Sequence, residues 1–183
     1  MKKIIAIILI IGALLFIYIM KKNNITPEET GTPQVSDNGT LRPDPSNATF
    51  TFDDGAVTLS GGRNETKVDP SSAIIEETTL MDKIAYGDIN ADGKADTALF
   101  LARYGGGSGT FIYVAAFVSG PVTYRGTEAV FIGDRIAPQS IFINGEIVTV
   151  EYLDREPDEA LAAEPTVLVT KQFVYRSGEF QER

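Results

Sequence analysis

The chain has 183 residues, enough for one domain with short accessory segments. It contains no cysteine, histidine or tryptophan. The lack of cysteine excludes disulfides and thiolate nucleophiles, and the lack of histidine excludes Ser-His-Asp catalysis and most zinc, iron and copper sites. An enzyme built from this chain is left with carboxylate, Ser-Lys or calcium-assisted chemistry.

The net charge of −9 is unevenly distributed along the chain. Four of the 16 basic residues flank an apolar stretch near the N-terminus, so residues 23–183 carry 12 basic against 25 acidic residues, a net charge of −13. Nucleic acids and anionic membrane surfaces are bound through basic patches. We therefore expect no nucleic-acid partner.

The apolar stretch, residues 4–20, has 17 residues without a charge and lies between two lysine pairs. A membrane span needs about 17–25 apolar residues. Lys21 and Lys22 follow the stretch directly, and no A-x-A-like cleavage site or lipoprotein cysteine is present, so an uncleaved anchor at 1–22 is favoured over a signal peptide. A slight excess of positive charge before the span places the N-terminus in the cytoplasm. We expect a single-pass protein of the cell membrane, with the C-terminal domain outside the cytoplasm.

Residues 23–47 contain four prolines and almost no apolar side chains. Such a segment cannot bury enough surface to offset the entropy of ordering it, and we interpret it as a disordered tether. A random coil of this length spans on the order of 25–30 Å, which would hold the following domain clear of the membrane surface.

From residue 48 to 183 the sequence predicts an all-β domain, a small sandwich or barrel of about eight to ten strands. Residues 98–104 and 110–118 are nearly continuous apolar runs joined by the glycine-rich segment 105–109. This pattern predicts two adjacent central strands that are buried on both faces.

Three hairpins are predicted from local turn sequences. They are centred on Asp53-Asp54-Gly55, on Asn144-Gly145 and on the segment 176–180. Only residues 158–164, after Pro157, are predicted to be helical.

The segment 88–96 reads D-I-N-A-D-G-K-A-D and carries the only constellation of chemically suitable side chains that the sequence reveals. Ca²⁺ prefers six to eight oxygen ligands from carboxylates, amides, backbone carbonyls and water. A loop turning at Gly93 can supply such a set, and the predicted ligands are Asp88, Asn90, Asp92, the backbone carbonyl of Lys94, and Asp96. The alternative is a solvated Asp/Asn/Gly turn without metal. We expect one structural, non-catalytic Ca²⁺.

This loop resembles the calcium loops of EF-hands, dockerins and FG-GAP repeats. An EF-hand requires a bidentate Glu at its twelfth position, which here is Leu99. The flanking segments have the pattern of strands instead of helices. The setting is therefore closest to the FG-GAP type, in which the ninth position, Asp96, closes the site.

A wider resemblance covers about 100 residues. The pieces at 87–96, 106–111 and 133–135 follow the order G-D-x-[ND]-x-D-G-x-x-D, then G-G-S-G-T-F, then G-D-R. This order is similar to that of an uncharacterised bacterial family of exported or membrane-anchored β-domains. The resemblance implies an exported compartment and an all-β fold, and it implies no activity.

Two functions follow as hypotheses. The first is a non-enzymatic, calcium-stabilised module of the cell envelope that binds an envelope protein or a polysaccharide, and a purely structural role is not distinguished from it by the sequence. The second is a calcium-dependent hydrolase of an envelope or extracellular polymer, which would require two carboxylates distant in sequence to meet in one cleft. The doublets Asp53-Asp54 and Glu76-Glu77 are not such pairs by themselves, because adjacent strand residues point to opposite faces. Whether the chain is an enzyme stays open at this point.

Overall fold

The computed structural model describes residues 34–35, 41–68, 71 and 73–183. These residues belong to one compact unit, Gly31–Arg183. The expected membrane span at 4–20 and most of the expected tether lie outside the described residues. The end of the expected tether, residues 41–47, packs on the β-domain: Pro43 and Pro45 are buried, and the Pro43 carbonyl accepts a hydrogen bond from the Thr97 hydroxyl at 2.6 Å. Among the residues that are described, none forms a helix of the length and apolarity needed to cross a membrane.

The described residues form fourteen strands, and every pairing between them is antiparallel. The expectation of an all-β fold is thus confirmed. The strands are β1 (Gln34–Val35), β2 (Leu41–Arg42), β3 (Thr49–Phe52), β4 (Gly55–Thr58), β5 (Arg63–Lys67), β6 (Ile75–Gly87), β7 (Asp96–Gly105), β8 (Phe111–Ser119), β9 (Tyr124–Gly126), β10 (Val130–Asp134), β11 (Ala137–Asn144), β12 (Ile147–Asp154), β13 (Val167–Arg176) and β14 (Glu179–Glu182).

The strands are arranged in two large sheets and two short pairs. The first sheet has six strands in the order β10-β8-β7-β6-β5, with β9 also paired to β8. The second sheet has the order β11-β12-β13-β14, so it is built entirely from neighbours in sequence. Strands β3 and β4 form a separate hairpin, and β1 pairs with β2.

Strand β7 lies at the centre of the six-stranded sheet, and both of its faces are buried. Phe100 packs into a cluster shared with residues of the four-stranded sheet, such as Phe173. Leu99 and Leu101 point to the opposite face, into a second cluster that includes Phe50 of the β3–β4 hairpin. Successive strand residues face opposite sides, so a continuous apolar run is what a strand between two cores requires. The predicted central pair is confirmed, since β7 pairs with β8 along its length.

The predicted hairpins are observed, one of them with a shifted turn. β3 and β4 pair around Asp53-Asp54, and β13 and β14 pair around Ser177-Gly178. In the third, Asn144 still pairs with Ile147, so the turn residues are Gly145 and Glu146 instead of Asn144 and Gly145. Gly145 has a φ of 59°, a conformation that glycine adopts without steric cost.

The predicted helical segment at 158–164 is wrong. The segment contains two isolated turns, closed by hydrogen bonds from Glu159 N to Glu156 O and from Ala163 N to Ala160 O. The Arg155 side chain holds the segment in this form, because its Nε donates to the Ala163 carbonyl at 2.7 Å. A tertiary contact thus outweighs the local helix preference.

Candidate functional site

The acidic loop connects β6 to β7. Asp88 directly follows the last residue of β6, and Asp96 is the first residue of β7. The chain turns through two residues with positive φ, Ala91 at 59° and Gly93 at 81°. Glycine was expected at the turn, whereas a positive φ at alanine is uncommon and is held here by the surrounding hydrogen bonds.

Asp96 closes the loop from the inside. Its side chain is fully buried and accepts three backbone hydrogen bonds, from Ile89 N at 2.8 Å and Asn90 N at 3.3 Å to Oδ2, and from Ser119 N at 2.8 Å to Oδ1. Burial raises the pKa of this carboxyl, and the hydrogen bonds act in the opposite direction. Asp96 therefore joins both ends of the loop to the end of β8.

The other loop side chains organise its outer turn. Asp88 accepts from Asp92 N at 3.1 Å and from Gly93 N at 2.9 Å, and Asn90 Oδ1 also accepts from Asp92 N. Asp92 accepts from Lys94 N at 2.9 Å and from the Ser119 hydroxyl. The hydrogen bond from Ser119 is the main cause of a lowered pKa at Asp92.

The predicted calcium ligands thus come together in one loop, although their oxygens face hydrogen-bond donors. Their all-oxygen chemistry suits Ca²⁺. Within the described part of the chain, however, no three acidic side chains gather closely enough to hold a metal ion. The Lys94 ammonium lies 3.7 Å from Asp92 Oδ2, so it partly offsets the charge that a cation would meet. Each carboxylate has about four lone-pair sites, so ion binding at this loop does not by itself require these hydrogen bonds to break.

Two residues that sequence reasoning missed, Ser119 and Tyr124, connect the loop to the hairpin between β8 and β9. Asn90 Nδ2 donates to the Ser119 carbonyl at 2.9 Å, and Lys94 Nζ donates to the Gly120 carbonyl at 3.4 Å. The Tyr124 hydroxyl donates to the Ala95 carbonyl at 2.9 Å. These partners lie more than twenty residues away in sequence, and no local pattern marks them.

The β8–β9 hairpin separates two open clefts. The first has a volume of about 590 Å³, and its lining includes Asn47, Thr49, Phe117, Thr123, Tyr124 and Arg125. The second has a volume of about 560 Å³, and its lining includes Asn90, Ser119, Val122, Thr123, Arg125 and Tyr175. Thr123 and Arg125 contribute to both, so the hairpin is a shared wall and the acidic loop supports its base.

A second polar cluster lies at the tip of the β3–β4 hairpin. Arg103 forms a bidentate ion pair with Asp54, both contacts at 2.6 Å, and a further contact with Glu76 Oε2 at 3.0 Å. These hydrogen bonds from Arg103 to Asp54 lower the pKa of the Asp54 carboxyl and raise the pKa of the Arg103 guanidinium. Each acidic doublet of the sequence thus supplies one carboxylate to this cluster. Glu77 instead pairs with Arg63 at 2.9 Å.

The segments that carry the wider resemblance contact one another in the fold. Asp134 accepts a hydrogen bond from Thr110 N at 2.9 Å, and Arg135 N donates to the Thr110 carbonyl at 2.7 Å. The ion pair with Arg135 lowers the pKa of Asp134. Segments 106–111 and 133–135 therefore form one structural unit at the end of the six-stranded sheet, away from the acidic loop in sequence.

Comparisons with known proteins supply no relative. No protein-family model matches the chain, and no curated protein and no solved structure matches it either. The family resemblance therefore depends on the quoted segments alone, and function has to be inferred from the site.

Proposed function

We propose that this chain is a non-enzymatic binding module of the cell envelope, anchored by residues 4–20 and held outside the cytoplasm on the 23–47 tether. Its ligand is an uncharged surface polysaccharide, bound in the 590 Å³ cleft beside the β8–β9 hairpin. The acidic loop fixes that hairpin, and one Ca²⁺ strengthens it. The β-domain is a sandwich of the two large sheets.

The observation that carries this proposal is the bonding between the loop and the hairpin. Asp92 and Asp96 bind Ser119, and Tyr124 binds back to Ala95. A binding wall that is fixed before the ligand arrives loses less conformational entropy when the ligand binds. The polar loop side chains thus have a use beyond solubility, which is to position the wall of the cleft.

The chemistry of the cleft favours a sugar polymer. Phe117 and Tyr124 stack at a centroid distance of 5.4 Å, which provides a rigid aromatic surface at the cleft wall. Asn47 and Arg125 add amide and guanidinium groups, and both can bond to hydroxyl groups. The acidic balance of residues 23–183 disfavours anionic polymers.

The calcium part of the proposal uses Asp88, Asn90, Asp92, the Lys94 carbonyl and Asp96 as ligands. Their oxygen donors and their spacing around Gly93 support it. When bound, the ion would neutralise the concentrated negative charge of the loop. Since the loop already braces the hairpin through hydrogen bonds, the ion adds stability and takes no part in catalysis.

The test is a pull-down with insoluble polysaccharides, using the full chain in a nonionic detergent with chitin, cellulose and an acidic carboxymethyl-cellulose resin. We expect saturable binding to a neutral polymer and none to the acidic resin. Tyr124→Ala should weaken binding by roughly two- to tenfold, the value of one aromatic contact. Tyr104→Ala, an exposed aromatic outside this cleft, is the matched control. Equal binding by both variants, or no binding to any polymer, would refute the proposal.

A second candidate function is hydrolysis of such a polymer, favoured by the meeting of Asp54 and Glu76 in one polar cluster. These carboxylates are 22 positions apart in sequence. Both of them line two further, smaller clefts beside Arg103. A general acid needs a raised pKa, whereas Arg103 lowers the pKa of Asp54. Release of new reducing ends from the same polymers, abolished in Glu76→Gln, would establish this candidate in place of the first.

A further inference from the structure

A small aromatic cleft lies at the end of the six-stranded sheet that the β3–β4 hairpin leaves uncovered. Its volume is about 260 Å³. Two aromatic rings, two carboxylates and one guanidinium, all on one face of the sheet, line it: Phe111, Tyr113, Asp54, Glu76 and Arg103. It is separate from the two clefts beside the β8–β9 hairpin.

The register of the sheet explains why these groups meet. Arg103 of β7 is paired with Phe111 of β8, and Glu76 of β6 is paired with Gly105. Paired residues of antiparallel strands lie side by side on one face. Tyr113 follows two positions after Phe111 and therefore lies on the same face. The hairpin tip adds Asp54 from above.

The aromatic walls are accessible and supported from behind. Phe111 is 38% exposed. Tyr113 packs edge-on against Phe52 at 4.9 Å and against Phe131 at 5.5 Å. Rings held in this way need little reorganisation to accept a ligand.

The charge balance of the cleft is negative. Arg103 has a side chain only 14% exposed, and its guanidinium is engaged by Asp54 and Glu76 while lying 5.0 Å from the centroid of the Phe52 ring. One positive group is thus opposed by two carboxylates that are more exposed, at 56% and 37%. A ligand entering from solvent therefore meets the carboxylates and the rings more readily than the guanidinium.

We propose that this cleft binds a small organic cation of the quaternary ammonium type, such as the choline group. Aromatic faces attract such cations through the ring quadrupole, and a negatively charged surround complements them. The cleft has less than half the volume of either cleft beside the β8–β9 hairpin, as a single headgroup requires. Anions are disfavoured by the net charge, and an apolar ligand would not use the one negative charge that remains after Arg103 has paired with both carboxylates.

The experiment is a calorimetric titration of the full chain in a nonionic detergent with choline and, separately, with its neutral isostere 3,3-dimethyl-1-butanol. We expect saturable choline binding and at least tenfold weaker binding of the alcohol. Phe111→Leu and Glu76→Gln should each weaken choline binding about three- to tenfold. Phe142→Leu, an equally exposed ring on β11 of the other sheet, should leave it unchanged.

Three outcomes would overturn the proposal. Equal binding of choline and the alcohol would mean a merely apolar cleft. No saturation by choline up to about a hundred millimolar would mean that no cation site exists. Choline binding that Phe111→Leu and Glu76→Gln leave intact would place the site elsewhere. None of these results bears on polysaccharide binding, because that proposal uses Tyr124 and a different cleft.

Discussion

Asp96 and Asp92 show how two carboxylates of one loop come to have different tasks. Asp96 is buried and accepts three backbone hydrogen bonds, whereas Asp92 lies on the exposed turn and binds Ser119 and Lys94. Burial raises the pKa of the first, and hydrogen bonding lowers the pKa of the second. The first is therefore a structural brace, and the second is the more accessible ligand for an ion.

This difference decides which residue should be changed to test for calcium. Replacing Asp96 would cost about 1–3 kcal/mol of stability with or without an ion, since its buried hydrogen bonds would be lost. Asp92→Asn keeps the shape of the side chain and removes one charge at an exposed position.

We expect Ca²⁺ at a hundredfold excess over its dissociation constant to stabilise the wild-type chain by about 2.7 kcal/mol. For a domain of this size that is a rise of roughly 5–10 °C in the midpoint of thermal unfolding, reversed by a chelator. In Asp92→Asn the rise should be lost or strongly reduced.

The matched control is Asp82→Asn, which removes the same charge from an exposed position on β6 and should retain the full rise. Circular dichroism with and without chelator measures all three proteins. A wild-type midpoint that calcium leaves unchanged would reduce the loop to a hydrogen-bonded turn, and the hairpin would then be braced without an ion.

At the scale of elements, the β8–β9 hairpin depends on a close approach to β3. A Cβ atom added at Gly126 would lie 2.2 Å from the Thr49 carbonyl oxygen and 2.8 Å from a ring carbon of Phe50. The obstacle includes backbone, which cannot move aside as a flexible side chain can. Glycine at this position therefore sets the distance between two walls of the larger cleft.

Gly126→Ala should lower the free energy of unfolding by about 1–3 kcal/mol, the usual cost of overpacking. Gly107→Ala is the control, because the nearest atom to its added Cβ is 3.5 Å away and its φ is not positive. It should change stability by less than about 0.5 kcal/mol. Urea unfolding of both variants measures the difference, and similar stabilities would mean that β3 does not hold the hairpin.

The elements also show what local sequence can predict. The turns at Asp53-Asp54 and Ser177-Gly178, and the apolar runs of β7 and β8, are encoded by neighbouring residues, and these were predicted. Strand β5 is entirely polar and largely exposed, so its sequence has no apolar alternation to reveal it. Residues 48–183 hold twelve strands, β3 to β14, against the eight to ten expected, and β5 is one of those that the sequence did not reveal.

Only some residues of the candidate sites could be predicted from the sequence, for a related reason. The loop residues follow one another at a recognisable spacing, so the sequence alone identified them. Ser119, which binds the loop, and Arg103, which joins Asp54 to Glu76, have no such spacing. Their roles arise from strand register, which only the folded sheet specifies.

On the scale of the whole molecule, β7 links the two cores of the described unit. Leu99 and Leu101 face the β3–β4 hairpin, and Phe100 faces the four-stranded sheet. The β3–β4 hairpin, the six-stranded sheet and the four-stranded sheet therefore form three layers that pack through β7. A domain of this kind can be carried on a tether as one rigid unit. That body carries the acidic charge, whereas the lysine pairs lie beside the apolar stretch at 4–20.

This separation of charge predicts that the β-domain lies on the outer side of the cell membrane. In spheroplasts that express the chain, added proteinase K should cut within residues 23–40 and release the β-domain, because a polar tether is far more readily cleaved than paired strands. Washing membranes at alkaline pH should leave the uncut chain bound. Ile11→Arg should impair insertion, since a charge at the centre of a span costs about 2.5–3.5 kcal/mol. Thr30→Arg, which adds the same charge in the tether, is the control.

Digestion only after lysis would place the domain in the cytoplasm, and a free chain lacking the first 22 residues would mean that the apolar stretch is a cleaved signal. Release by protease alone requires both an anchor in the membrane and a domain on the outer side.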